Sequence, residues 1–146
     1  MAKKTDGKIG FHIETIENLG SNFKKPEKPI PTERIDFSLS HNFNLTSKGQ
    51  KIEFVLQPKY SYGKRKSITI AEFLYKITFA VEGLEQFHVK DEEYKIPDGL
   101  IVTLFSISYS TLRGIIYEKG RGTILERIIT PIIDPKIVLQ KNEAEN

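Results

Sequence analysis

The stretch PDGLIVTLFSISYSTLRGIIYEKGRGTILERIITPIIDP, from Pro97 to Pro135, decides how the chain is read. Its first part predicts a helix over residues 99–118. Such a helix is on the order of 30 Å long at about 1.5 Å per residue. Asp98 is the expected N-cap with Pro97 just outside it, and Lys119 with Gly120 supplies a basic last turn and a stop. At about 100° per residue, Ile101, Phe105, Leu112, Ile115 and Ile116 fall on one side. Thr103, Ser106, Ser110 and Gly114 fall on the other, with Arg113 and Tyr117 at its edge, while Leu100, Leu104 and Ile107 fill a flank. A surface helix ordinarily carries Glu and Lys opposite its core face. Small residues there predict a helix covered on both sides, once by its own domain and once by a partner such as a second copy of the chain.

Upstream of the helix the period changes from 3.6 to 2. Ile9, Phe11 and Ile13 alternate and Ile16 falls out of phase, so a strand is expected with a bulge after Ile13. From Asn18 to Glu33 the alternation stops, and Pro26, Pro29 and Pro31 make that stretch a long crossover. Ile35, Phe37, Leu39, His41, Phe43 and Leu45 share one face of a second strand. A turn around Gly49 returns the chain through Ile52, Phe54, Leu56, Tyr60 and Tyr62, where Pro58 marks an edge or a bulge. A second turn leads to residues 67–82, whose phase flips near Ala71–Glu72, again the mark of a bulge. Residues 82–97 read as a charged loop anchored by Phe87 and Tyr94. After the long helix, Asp134 caps a short second helix begun by Pro135, and the ends, 1–7 and 141–146, read as flexible. The order ββββαα is an α+β layout in a single domain of 146 residues, with both helices on one face of an antiparallel sheet.

Composition narrows function by exclusion. No cysteine is present, so disulfides and thiolate metal sites are ruled out. The polar N-terminus MAKKTDGK is unlike a signal peptide, and Arg113 with the hydroxyl residues makes the long helix read as soluble, so the expected location is cytoplasmic. The net charge of +3 comes from short clusters: Lys3-Lys4, Lys24-Lys25 with Lys28, and Lys64-Arg65-Lys66. Each reads as a terminus, loop or hairpin tip. Tyr60 and Tyr62 flank the third cluster, which keeps single-stranded nucleic acid open as a partner.

A catalytic set is hard to assemble from these residues. His12, His41 and His88 sit in different elements, and neither a nucleophile elbow nor a P-loop occurs. Lys119-Gly120-Arg121-Gly122-Thr123 lacks the strand and the Gly-Lys-Ser/Thr order of a phosphate cradle and reads as a helix stop plus turn. Glu14 and Glu17 are a carboxylate pair only by proximity. On residues alone the chain is a binding or assembly protein, with no catalytic residue, metal or cofactor expected.

Two segments together resemble the SecB family of bacterial protein-export chaperones. Phe11-His12-Ile13-Glu14-Thr15-Ile16, then Asn22-Phe23-Lys24-Lys25-Pro26-Glu27-Lys28-Pro29, is similar to that family's first strand and crossover. The long helix, Arg121-Gly122-Thr123 and Pro131-Ile132-Ile133-Asp134-Pro135 resemble its helix, turn and proline-led second helix, and Ser110 to Ile115 resembles divergent members. The resemblance implies a SecB-like four-stranded antiparallel sheet with two helices. It also implies a dimer of dimers in which the long helices lie between opposing sheets, so Thr103, Ser106, Ser110, Arg113, Gly114 and Tyr117 become interface residues. The activity it implies is ATP-independent holding of unfolded polypeptides in exposed apolar grooves. The matching groove positions are Phe23 and Ile30 in the crossover and Ile133, Ile137 and Val138 around the second helix. Phe37, Leu39 and Phe73 either adjoin that groove or belong to the ordinary core.

The sequence departs from the family at one place. Export-dedicated members dock on the SecA motor ATPase through acidic positions that fall here at Gly20, Lys24 and Lys76, with Leu74 retained. Lost and reversed charges remove that complementarity, which argues against SecA coupling and toward another client, for instance an antitoxin. Two alternatives stay open: a scaffold of the same fold that binds one folded partner, and a nucleic-acid binder using Tyr60, Tyr62, Lys64, Arg65 and Lys66.

Overall fold

A computed structural model describes residues 9–46, 50–65, 67–91 and 93–145, the last five as backbone only. The N-terminal residues 1–7 expected to be flexible, the hairpin glycine Gly49 and the basic Lys66 lie outside the described residues. Four strands, β1 (Phe11–Phe23), β2 (Ile35–Thr46), β3 (Lys51–Tyr62) and β4 (Ile68–Val81), form one antiparallel sheet in the order β1-β4-β3-β2. β2, β3 and β4 are the expected meander, and β1 closes the sheet beside β4. Helix α1 spans Asp98–Lys119 and helix α2 spans Pro135–Glu145, continuing into the tail read as flexible. His41 of β2 meets both helices, with its ring 5.2 Å from that of Phe105 and a hydrogen bond to the Val138 backbone. The fold is α+β with both helices on one face, as the order of periodicities implied.

The core follows from the period-2 pattern. Ile52, Phe54, Leu56 and Tyr60 of β3 and Phe73, Tyr75, Ile77, Phe79 and Val81 of β4 are buried under α1. The phase flip in β4 is a register shift opposite Tyr60–Ser61, and it buries the consecutive pair Ile70 and Ala71. The α1 stripe is Leu100, Ile101, Leu104, Phe105, Ser108, Tyr109, Leu112 and Ile116. The hydroxyl of buried Ser108 donates to Leu104 O at 2.8 Å, so its burial leaves no unmet donor. α1 is long and apolar enough to cross a membrane, but its apolar stripe lies against β3 and β4.

Four expectations about local structure are corrected. β1 runs on to Phe23, so the crossover begins at Lys24 rather than Asn18. A second bulge between Asn18 and Gly20 lets pairing resume, with Asn18 Oδ1 accepting from Gly20 N at 3.0 Å. Pro58 is in a central strand, not at an edge. It is not a bulge either: the register from Leu56↔Tyr75 to Lys59↔Glu72 is unbroken, and the gap in the β3–β4 ladder between them is where the proline has no N–H to donate. The charged segment 82–97 holds a small hairpin, β5 (His88–Lys90) with β6 (Glu93–Tyr94). Pro97 takes the N-cap position of α1, and Asp98 becomes the first helical residue, where its charge still favours the helix dipole. Gly120 ends α1 in right-handed geometry. Its need for glycine is steric, because a Cβ there would lie 2.8 Å from Leu125 Cβ, and Gly122 supplies the left-handed turn at φ 78°.

Phe105 is fully buried, with ring contacts to His41, Phe54 and Tyr109. Phe105→Ala is expected to lower unfolding free energy by about 3–5 kcal/mol in urea titration. A loss under about 1 kcal/mol would show that α1 is not anchored through this ring.

Candidate functional site

One end of the sheet gathers the C-terminus of β1, the crossover, the start of β2 and the β3–β4 turn. Lys24 N donates to Ile70 O at 2.7 Å and fixes the departure of the crossover from β1 beside the start of β4. Phe23, 43% exposed, rests edge-on against the buried Phe73, with ring centroids 5.2 Å apart. From there a row of rings crosses the sheet: Phe73 to Tyr60 at 6.5 Å, then Tyr60 to Phe37 at 5.2 Å. The inner two rings are buried, Phe37 is half-buried and Phe23 meets solvent. Beside Phe23 an open groove of about 550 Å³ is bounded by Lys24, Ile68, Ile70 and Glu72.

The connector from α1 to α2 is held by a polar latch. Tyr60 Oη shares a hydrogen bond with Thr130 Oγ1, Tyr109 Oη donates to Pro131 O, and Arg113 Nε donates to Thr130 O at 3.1 Å. Thr130 is thereby buried, and its neighbours Ile129 and Ile132 are 86% and 84% exposed. Burial pushes the Tyr60 hydroxyl pKa up, opposed by the Thr130 hydrogen bond and the Arg113 charge. Burial, then neighbouring Tyr60, pushes Tyr109 up to about 12 against the pull of Arg113. Past the latch, Asp134 Oδ1 accepts from Lys136 N at 2.9 Å, the cap expected for α2. His41 sits beneath this helix, its pKa lowered by burial and raised again in part by its bond to Val138.

The predicted groove residues fall into two groups that the aromatic row joins. Phe23 and Phe73 belong to the β1–β4 side, where Phe73 is core. Phe37, Leu39, Ile133 and Val138 are half-buried on the β2 and connector side, where Ile137 is exposed. Ile30, in the crossover between them, is half-buried. On α1, Thr103, Ser110, Gly114 and Tyr117 are exposed, and Ser106 and Arg113 are half-buried. The Thr103 and Ser106 hydroxyls donate to Gly99 O and Val102 O, which leaves a smooth surface with those donors already used. A shallow recess of about 60 Å³ separates this face from Ile132, Ile133 and Pro135.

Sequence reasoning missed several exposed apolar residues: Ile13, Ile16 and Leu19 on β1, Ile68 at the start of β4, and Ile129 and Ile132 in the connector. The β1 set had a signal, since a strand whose alternation breaks twice cannot bury all its apolar residues. The connector isoleucines had none, because the latch that turns them outward comes from residues on α1 and β3.

Among the described residues no group of three or more His, Cys, Asp or Glu could hold a metal. The buried Tyr60 ring, its hydroxyl engaged by Thr130, is not available to stack on a base. Of the positions matched to SecA docking, Lys76 pairs with Glu17 at 3.2 Å, Gly20 lies opposite Leu74, and Lys24 borders the groove.

Comparison with solved structures finds a SecB-like chaperone of Mycobacterium tuberculosis in complex with a ChAD peptide from the HigA1 antitoxin. It has a TM-score of 0.55 and 12% identity, over 84% of this chain and 90% of that one. The fold is SecB-like. A protein of unknown function from Streptococcus agalactiae also matches, with a TM-score of 0.46 and 9% identity over 87% of this chain and 99% of that one. No family model and no curated protein matches the sequence. The SecB-like frame thus carries the groove at one end of its sheet and the latched connector across one face.

The latch predicts an alkaline transition. The ordinary tyrosine value is 10.0 and Tyr109 stands near 12, so the folded state keeps its proton when the unfolded state loses it. Its contribution to stability is present below pH 10 and is lost as pH rises toward 12. Tyr109→Phe is expected to flatten that part of the stability–pH curve in chemical denaturation; an unchanged slope would show that Tyr109 ionises freely.

Proposed function

We propose that the protein is a SecB-like, ATP-independent holdase that keeps unfolded or partly folded polypeptides from aggregating. The observation that carries this reading is the open groove beside Phe23, floored by Ile68 and Ile70 on a SecB-like sheet. A holdase must accept many sequences, so it needs apolar surface that is exposed and only loosely shaped. Phe23 provides such a surface because its ring, held edge-on by Phe73, remains 43% exposed. Ile133, Ile137 and Val138, with Phe37 and Leu39 beside them, form the second contact region, reached from the groove across the crossover.

The client is proposed to be a cytoplasmic polypeptide delivered without SecA, since Lys24 and Lys76 stand where a docking surface for that motor would be acidic. An antitoxin segment is a reasonable client class, because the mycobacterial chaperone of similar fold holds an antitoxin peptide. The working assembly is proposed to be a dimer of dimers joined through Thr103, Ser106, Ser110, Gly114 and Tyr117, with Arg113 at the rim. The small, smooth surface of α1 supports this packing.

Two measurements test these statements. Substoichiometric to equimolar protein should suppress light scattering from a denatured model protein without ATP. Phe23→Ala should reduce that suppression severalfold while costing little stability, as fits a half-exposed ring. No suppression by the unmodified protein would end the holdase reading, and equal loss of stability and suppression would mark Phe23 as a core plug. Ser106→Glu with Ser110→Glu should convert tetramer to dimer in multi-angle light scattering, because each would place an uncompensated carboxylate in a closed interface. A tetramer that survives both changes would remove α1 from the interface.

A further inference from the structure

Six of the cations of this basic chain lie at the end of the sheet that holds the groove, and Lys24 borders it. Lys24, Lys25, Lys28 and Arg34 lie along the crossover, and Lys64 and Arg65 form the β3–β4 turn. These clusters are some 40 positions apart in sequence, and the topology brings them to one end of the sheet, where Lys24 and Ser67 both border the groove. Segments 24–34 and 63–65 hold six cations against Glu27 and Glu33, and with Asp36 and Glu72 beside them this end still carries an excess of positive charge. The groove's own carboxylate, Glu72, is engaged by Gln57 Nε2. Lys51, Lys76 and Arg121 elsewhere are paired with Glu14, Glu17 and Glu118, whereas none of these six is in an ion pair among the described residues.

We infer that this groove selects polypeptide segments in which apolar residues are flanked by Asp and Glu. The statement rests on the holdase reading and adds a charge preference to it. Lys24 at the groove, with the other unpaired cations of the crossover and the β3–β4 turn at the same end of the sheet, raises the local concentration of anionic chains and favours their capture over cationic ones. A polypeptide suits the floor better than a nucleic acid does. Exposed Ile68 offers aliphatic surface for side chains beside Phe23, whereas a single-strand track needs several open aromatic faces, and Tyr60 and Phe73 are buried. Phe23 then holds the apolar residue of the client while the lysines and arginines at this end of the sheet hold its acidic neighbours.

The test uses the full chain and three fluorescent peptides with one shared apolar centre and flanks of Glu, Ser or Lys. Fluorescence anisotropy at low salt should show the Glu peptide bound about tenfold more tightly than the Lys peptide, as a few exposed charge contacts allow. At about 0.5 M salt the difference should collapse while the Ser peptide holds its affinity. Lys24→Glu, Lys25→Glu, Lys64→Glu and Arg65→Glu together should reverse the order, and Phe23→Ala should weaken all three peptides. Should the fourfold variant fail to fold, Lys64→Gln with Arg65→Gln in the exposed turn should still narrow the difference. Equal binding of the three peptides would overturn the charge preference and leave the holdase reading intact. Binding of none would remove both. Displacement of the Glu peptide by an equimolar single-stranded oligonucleotide would overturn the preference in favour of a nucleic-acid site.

Discussion

One helix cannot cover four strands. A helix with its side chains is about 10–12 Å across, and strands lie about 4.8 Å apart, so a single helix shields about two of them. α1 lies on β3 and β4, and those strands carry the fully buried side chains of the sheet. β2 receives its cover from elsewhere, through Val138 and the latched connector. β1 is left with apolar residues on the sheet face and little above them: Ile13, Ile16 and Phe23 remain exposed although their partners Phe79, Ile77 and Ala71 are buried. The exposed apolar surface of β1 arises from that shortage of cover.

The latch solves the second half of the problem. An extended connector across the apolar face of β3 would bury backbone carbonyls without partners, which is costly. Arg113 and Tyr109, one helical turn apart on α1, satisfy Thr130 O and Pro131 O, and Tyr60 meets the Thr130 hydroxyl. With those bonds made, the chain can cross the core and turn back into α2. The two isoleucines pointed at solvent are a by-product of anchoring the threonine between them.

The sheet and helices were legible because their signals are periodic. Ile52 to Tyr60 alternate in and out, and the α1 apolar residues recur every three or four positions, so composition and spacing suffice. Phe23 stood out as a candidate groove residue only through the SecB resemblance, and its strand setting was not legible, because the alternation stops at Asn18. Asn18 and Gly20 build a bulge there, after which the ladder resumes. Stacking by Tyr60 stayed open in the sequence because its partner Thr130 lies 70 positions away. Long-range hydrogen bonds leave no periodic trace in a sequence. The convergence of two basic clusters on one end of the sheet was hidden for the same reason, since only the strand order sets the crossover beside the β3–β4 turn.

The two bulges in β1 have a further consequence. A free edge strand of 13 residues bearing Ile13, Ile16, Leu19 and Phe23 in solvent has the makings of a template for endless strand addition. The register shifts divide its pairing into Phe11–Ile13, Thr15–Asn18 and Gly20–Phe23, so no in-register run exceeds four residues. Cross-β stacking draws on runs of about six or seven. Each bulge also adds twist, which carries the strand away from the flat geometry that fibrils require. An exposed apolar edge is thereby kept from nucleating amyloid from its own kind.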